Sequence, residues 1–215
     1  MGLEEFMQDL EIIQNLKSKI RELFKDEKTG HDISHLERVF EAAMELQKIE
    51  GGDPYVIGVA ALVHDIHRLM SNEAGRFVFP EESIDTVREL LIKSNVDETK
   101  LEQILEVVRF HDDKTNKNQM LETLIIQDAD ALDAVGEIGL NRTLTYCKTH
   151  GIPLTVPVPL DTEEYIPDVN PISTCHYIWR TMIPNGNNFY TKYAQEIAKD
   201  KLKILEDFVK ENHKL

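Results

Sequence analysis

Apolar residues return at every third or fourth position over most of the chain, and this spacing limits the fold more than any other feature. Phe6, Leu10, Ile13, Leu16, Ile20 and Phe24 trace one face of an N-terminal helix, which Lys25 to Gly30 breaks. Ser34 with Glu37 three residues on forms a capping box, and Leu36, Val39, Ala43 and Leu46 carry a second helix to Gly51-Gly52. Asp53-Pro54 supplies an N-cap and a first-turn proline for a third, with Val56, Val59, Ala60 and Val63 inward and an end near Met70. Ser71 to Phe79 has no clear period and reads as a loop. Pro80 opens a helix through Ile84, Val87 and Leu91, and Val96-Asp97 opens another that runs through Leu101, Ile104 and Val108 to His111. Leu121 to Leu132 is predicted helical, with Asp128, Asp130 and Asp133 making a polar face.

Between His150 and Pro171 the prolines at 153, 157, 159, 167 and 171 disfavour both helix and central strand, so 150–171 is a long irregular insertion and a candidate lid. Helical spacing resumes over 172–213. With no convincing strand pair, the expectation is an all-α fold, and 215 residues suit a single helical domain. A net charge of -15 argues against a nucleic acid polymer as partner, because such binding relies on many cations. The start lacks a basic and apolar leader, and no apolar run reaches bilayer length, so no membrane partner and a cytoplasmic location are expected. Cys147 and Cys175 give no disulfide framework.

The run Ala60 to Val63 ends abruptly in His64-Asp65, an imidazole and a carboxylate at the inner end of a helix. Burying both is costly unless something satisfies them, and a divalent metal does so if partners come from elsewhere. His35, His111 and Asp130 lie in stretches able to supply them. A hydrogen-bonded helix-end pair is the plain structural alternative for His64-Asp65 taken alone.

His35 in HDISHLERV, His64-Asp65 in AALVHDI and Asp130 in QDADALDAVG form an ordered series, each on a different helix. That series resembles the HD-domain superfamily of metal-dependent phosphohydrolases, over roughly Gly30 to Leu140. The tail also looks like the small stand-alone bacterial branch. The resemblance implies one divalent ion, manganese, magnesium, iron, cobalt or nickel, on His35, His64, Asp65 and Asp130, with catalysis at His64 and Asp65. It implies a small phosphorylated substrate, most plausibly a nucleotide or deoxynucleotide, attacked at phosphorus by metal-activated water.

Around that core, Arg38 and Arg68 stand one helical turn from His35 and His64, where their guanidinium groups suit phosphate. Lys114 and Arg142 are weaker versions of the same idea. His67 replaces the glycine that many HD proteins carry after His-Asp-Ile, and so narrows the pocket or contacts phosphate. His111 is a candidate for the leaving oxygen, a proton transfer or a second metal, against a helix-end capping role. Glu73 is a candidate water activator, against an exposed acid. Asp128 and Asp133 read as supporting or structural acids, and His31 as an exposed or supporting imidazole. Phe77, Phe79, Tyr146 and Tyr165 are candidates to stack on a base, against simple packing.

The chain also departs from the family. His67-Arg68 stands where hydrolases of guanosine polyphosphates have an acidic pair, which disfavours that activity. The extra histidines of di-iron oxygenases and cyclic-dinucleotide phosphodiesterases are replaced by Pro80-Glu81-Glu82, which disfavours a second metal. The Gly-Tyr-Pro signature is absent. The rivals are a silent metal- or nucleotide-binding regulatory module and a di-iron oxygenase.

Overall fold

The computed structural model describes residues 3–27, 31–113, 115, 119–166 and 169–214. Among them there are helices and no strand, apart from an isolated bridge between Ile166 and Asn170, so the fold is all-α as expected. Two compact units result, Met1–Ala129 and Asp130–Leu215. No helix among the described residues is long and apolar enough to cross a membrane.

The first unit contains α1 (Leu3–Leu23), α2 (Ile33–Glu50), α3 (Pro54–Val63), α4 (Ile66–Ala74), α5 (Pro80–Ile92), α6 (Glu98–Phe110) and most of α7 (Leu121–Asp133). Its centre is α3, which is apolar on every side and packs against α1, α2 and α6. Asp53 caps this helix by accepting from Tyr55 N and Val56 N at 2.9 and 3.4 Å, and Pro54 occupies its first turn.

Two helix ends differ from the sequence expectation, and both shape the site. The cap of α2 is Asp32 rather than Ser34: its carboxylate accepts from His35 N at 3.0 Å, and a carboxylate suits the positive end of a helix. The third helix does not run on to Met70. It stops at Val63, Asp65 leaves helical geometry at φ -93 and ψ 13, and α4 starts at Ile66. The chain therefore turns at the His-Asp doublet, and α4 continues through the expected loop to Ala74.

The second unit contains α8 (Gly136–Thr149), a short α9 (Thr174–Tyr177) running through a π-helical segment (Ile178–Met182) into α10 (Ile183–Asn185), and α11 (Lys192–Asn212), which packs on α8. The Pro-rich insertion is stitched to the helix after it. Thr174 N and Cys175 N donate to Pro153 O and Leu154 O at 2.9 and 3.0 Å, and Arg180 Nη1 donates to Thr162 O at 3.1 Å. His176 bonds Ser173 Oγ through Nδ1 at 2.7 Å and donates from Nε2 to Pro159 O at 3.1 Å. Proline removes backbone donors, so side chains of the following segment fix this stretch.

Candidate metal centre

Four helix ends of the first unit meet around Asp65. His35 lies in the first turn of α2, His64 just past the last residue of α3, Asp65 at the turn, His67 in the first turn of α4, and His111 just past α6. All five side chains are buried, between 0% and 2% exposed. His31, half-buried ahead of α2, joins them.

Asp65 divides these partners between its two oxygens. Oδ2 lies 2.7 Å from His31 Nδ1, 3.4 Å from His35 Nε2 and 3.7 Å from His64 Nε2. Oδ1 lies 3.6 Å from Arg68 Nε, 3.8 Å from His67 Nδ1 and 4.0 Å from His111 Nε2. His31, His35 and Asp65 each bring a ligand atom within 4.8 Å of the others, and so do Asp65, His67 and His111. The rings form a chain, His35 to His64 at 5.6 Å, His64 to His111 at 5.1 Å and His111 to His67 at 5.3 Å.

Backbone carbonyls fix the tautomers. His64 Nδ1 bonds Ala61 O at 2.9 Å, His111 Nδ1 bonds Val108 O at 2.6 Å and His67 Nδ1 bonds His64 O at 3.2 Å. A carbonyl only accepts, so each Nδ1 carries the proton and each neutral ring presents Nε2 as a lone pair. Metal-ligating histidines are commonly oriented this way.

Burial opposes ionisation of Asp65, but the electrostatic attraction of His64 and the hydrogen bonds of His31 and His35 outweigh it and hold the carboxyl well below its usual range. For His67, burial leads and pushes the imidazole from 6.5 down to about 4, with Asp65 opposing and His111 and Arg68 adding. The unfolded chain therefore takes a proton on His67 before the folded one does. His67 contributes stability fully above about pH 6.5 and loses it as pH falls toward about 4, while Asp65 adds its own loss only below its ordinary value near 3.8. The metal-free protein is expected to melt at lower temperature at about pH 5 than at about pH 7, and His67→Ala to flatten that slope. Calorimetry in chelator measures both, and an unchanged slope in the variant contradicts the assignment.

The other sequence candidates fall as follows. Arg68 is half-buried on α4, with Nη2 donating to Asp112 Oδ2 at 3.4 Å and its guanidinium 5.3 Å over the Phe77 ring. Arg38 is half-buried on α2, one turn past His35, and Glu73 is exposed in the last turn of α4. Asp128 is buried on α7. Asp130, half-buried, follows three residues after Gln127, whose amide donates to Phe110 O and Asp113 O at 2.8 and 3.0 Å beside His111. Lys114 lies outside the described residues. In the second unit Arg142 donates to Asp133 Oδ2 at 2.9 Å, Tyr165 is buried with Arg180 5.4 Å over its ring, and Tyr146 stacks on His150.

One member of the cluster read from the sequence as exposed or supporting is supporting, and another carried no clear signal. His31, a candidate through its closeness in sequence to His35, supports Asp65 directly. Asp112 stands 3.6 Å from His67 Nε2 and 3.8 Å from His111 Nε2, although Phe110-His111-Asp112-Asp113 reads as a polar helix end.

A buried carboxylate ringed by lone-pair imidazoles at converging helix ends is the architecture of a helical metal-binding domain. Residues 32–135 match the family model of the HD domain, and the chain belongs to the HD-domain superfamily. It is 28% identical over 153 residues to the uncharacterized protein YpgQ of Bacillus subtilis, covering 68% of this chain and 72% of that protein. The crystal structure of YpgQ in complex with ADP superposes with a TM-score of 0.75 at 19% identity, covering 94% of both chains. An HD-superfamily hydrolase from Bacillus thuringiensis superposes with a TM-score of 0.74 at 24% identity, over 94% of this chain and 95% of that one.

Proposed function

We propose that this chain is a metal-dependent phosphohydrolase whose substrate is a nucleotide or deoxynucleotide. A divalent ion is held by His35, His64, Asp65 and Asp130. The observation that carries the reading is the gathering of His35 Nε2 and His64 Nε2 within 3.4 and 3.7 Å of Asp65 Oδ2, in the tautomer that leaves the His64 nitrogen as a lone pair. Imidazole and carboxylate donors together suit borderline-to-hard divalent ions. When bound, such an ion lowers the pKa of a water and polarises a phosphoryl oxygen.

The chain's own residues supply the rest. Asp65, ionised through the usual pH range, provides the negative charge that retains a cation in a buried site. Arg68 reaches from Asp65 toward Asp112 and is positioned to hold a phosphate oxygen, with Arg38 as a second guanidinium. Beyond Arg68 lies a cleft of about 420 Å³, lined by Phe77, Phe79, Arg109, Phe110 and Asp112. Phe77 and Phe79 are 47% and 62% exposed and meet edge to face at 5.0 Å, with the Arg68 guanidinium over the Phe77 ring, and we take Phe79 and Phe77 as the candidates to stack on a base. The Phe77 ring is 6.1 Å from His67, a spacing consistent with neighbouring base and phosphate subsites. The ADP in the YpgQ crystal structure supports a nucleotide as the ligand class.

Purified protein supplied with Mn²⁺ is expected to release phosphate or pyrophosphate from members of a panel of nucleoside mono- and triphosphates faster than from sugar phosphates, and to stop in chelator. Tight nucleotide binding without product from any member overturns the hydrolase reading in favour of a regulatory module.

A further inference from the structure

Arg68 serves two ends that exclude each other. It is positioned to hold a phosphate oxygen, yet its guanidinium carbon lies 5.3 Å from the centroid of the Phe77 ring, a candidate to stack on a base. A cation over a ring and a base stacked on that same face require the same space. Phe79 and His67 crowd the ring as well, at 5.0 and 6.1 Å with their planes 84° and 75° from it. A base therefore gains the face under Arg68 only when the guanidinium leaves it.

The contacts that hold Arg68 there are long. Nη2 donates to Asp112 Oδ2 at 3.4 Å, and Nε stands 3.6 Å from Asp65 Oδ1. Charge-assisted hydrogen bonds ordinarily measure about 2.7 to 2.9 Å. Nε is buried and has no hydrogen-bond partner among the described residues, so the donor fork is underused where it lies. A phosphate takes such a fork through paired oxygens at ordinary length and outcompetes these contacts. Arg68 is half-buried on α4, and a change of rotamer moves its guanidinium without moving the helix.

We propose that Arg68 is a specificity gate: it covers Phe77 until a phosphate draws the guanidinium away, so the base subsite opens to phosphorylated ligands and stays closed to bare nucleosides. The inference rests on the nucleotide reading for the Phe77 subsite. A nucleoside left after phosphate release loses its place for the same reason, because Arg68 returns to the ring. The rival arrangement stacks the base on the guanidinium itself, which makes Arg68 a platform rather than a cover. The two differ in sign, since removing a cover strengthens nucleoside binding and removing a platform weakens it.

The test is ligand-observed nuclear magnetic resonance titration of the full-length protein in Mg²⁺. The probes are adenosine, adenosine with saturating inorganic phosphate, and α,β-methylene-ADP, whose bridging carbon resists cleavage. In the wild-type chain phosphate is expected to tighten adenosine binding about 3- to 10-fold. Arg68→Ala is expected to bind adenosine about 3- to 10-fold more tightly than wild type, with or without phosphate, and α,β-methylene-ADP about 10-fold or more less tightly. Adenosine bound no more tightly by Arg68→Ala, with α,β-methylene-ADP still bound by wild type, overturns the gate and leaves the nucleotide reading standing. A wild-type chain that does not bind α,β-methylene-ADP overturns both. Wild-type adenosine affinity that is indifferent to phosphate also overturns the gate, and that comparison decides the point even if the variant fails to fold.

Discussion

Asp65→Ala is expected to abolish Mn²⁺ retention and reduce phosphohydrolase activity by at least about 10³-fold, roughly 4 kcal/mol of barrier, while helical circular dichroism stays at the wild-type level. The size follows from position. Asp65 is 2% exposed, and five imidazoles face its two oxygens within 4.0 Å, so one truncation removes the charge that every other donor is arranged around. The backbone has less at stake. Asp65 makes no side-chain cap to α4, and the turn is held by His64 N donating to Ala60 O and Arg68 N donating to Asp65 O, both at 2.9 Å. Elemental analysis after gel filtration and a steady-state assay measure the effect. Full metal content with full rate in the variant removes Asp65 from the centre. Loss of helical signal together with metal shows instead that the carboxylate supports the fold.

The all-α class was legible because apolar spacing is a local property. Asp53-Pro54 marks a cap that the structure uses, and Leu16, Ile20, Leu36, Val39, Ala43 and Leu46 are all buried where the periodicity puts them. Helix ends were less legible. Ser34 and Asp32 are both good caps, and only the realised backbone shows which carbonyls and amides remain to be satisfied. The break at His64-Asp65 has no proline or glycine to announce it, since it follows from packing α3 on all sides and sending α4 elsewhere. His64, Asp65 and His35 stood out as candidates because imidazoles and carboxylates beside apolar runs need a partner. Asp112 did not, because it sits at a helix end where polar residues are ordinary, and His31 was legible only as an exposed or supporting imidazole near His35. The tautomers of His67 and His111 depend on carbonyls three residues back and on ring orientation, which spacing does not encode.

Gly139→Ala is expected to destabilise the chain by about 3 kcal/mol or more, which for a chain of this length lowers Tm by roughly 6 to 12 °C. A Cβ at Gly139 meets Ala134 O at 2.0 Å and Ala134 C at 2.4 Å, and both are backbone atoms that no rotamer change removes. The crowding arises where α7 ends and α8 begins. Gly136 takes φ +75 there, in the left-handed region that glycine tolerates, and the chain folds back so that the first turn of α8 lies on the Ala134 carbonyl. Relief requires shifting α8, whose buried Cys147 and packing against α11 hold it. Gly151→Ala is the matched control. Gly151 has φ +69 but nothing within 4 Å of an added Cβ, so it incurs only the left-handed penalty of about 1 to 2 kcal/mol. Thermal melts of the two variants side by side separate collision from backbone strain. A Gly139→Ala protein that melts at or above the Gly151→Ala protein shows that the turn into α8 is looser than this contact requires.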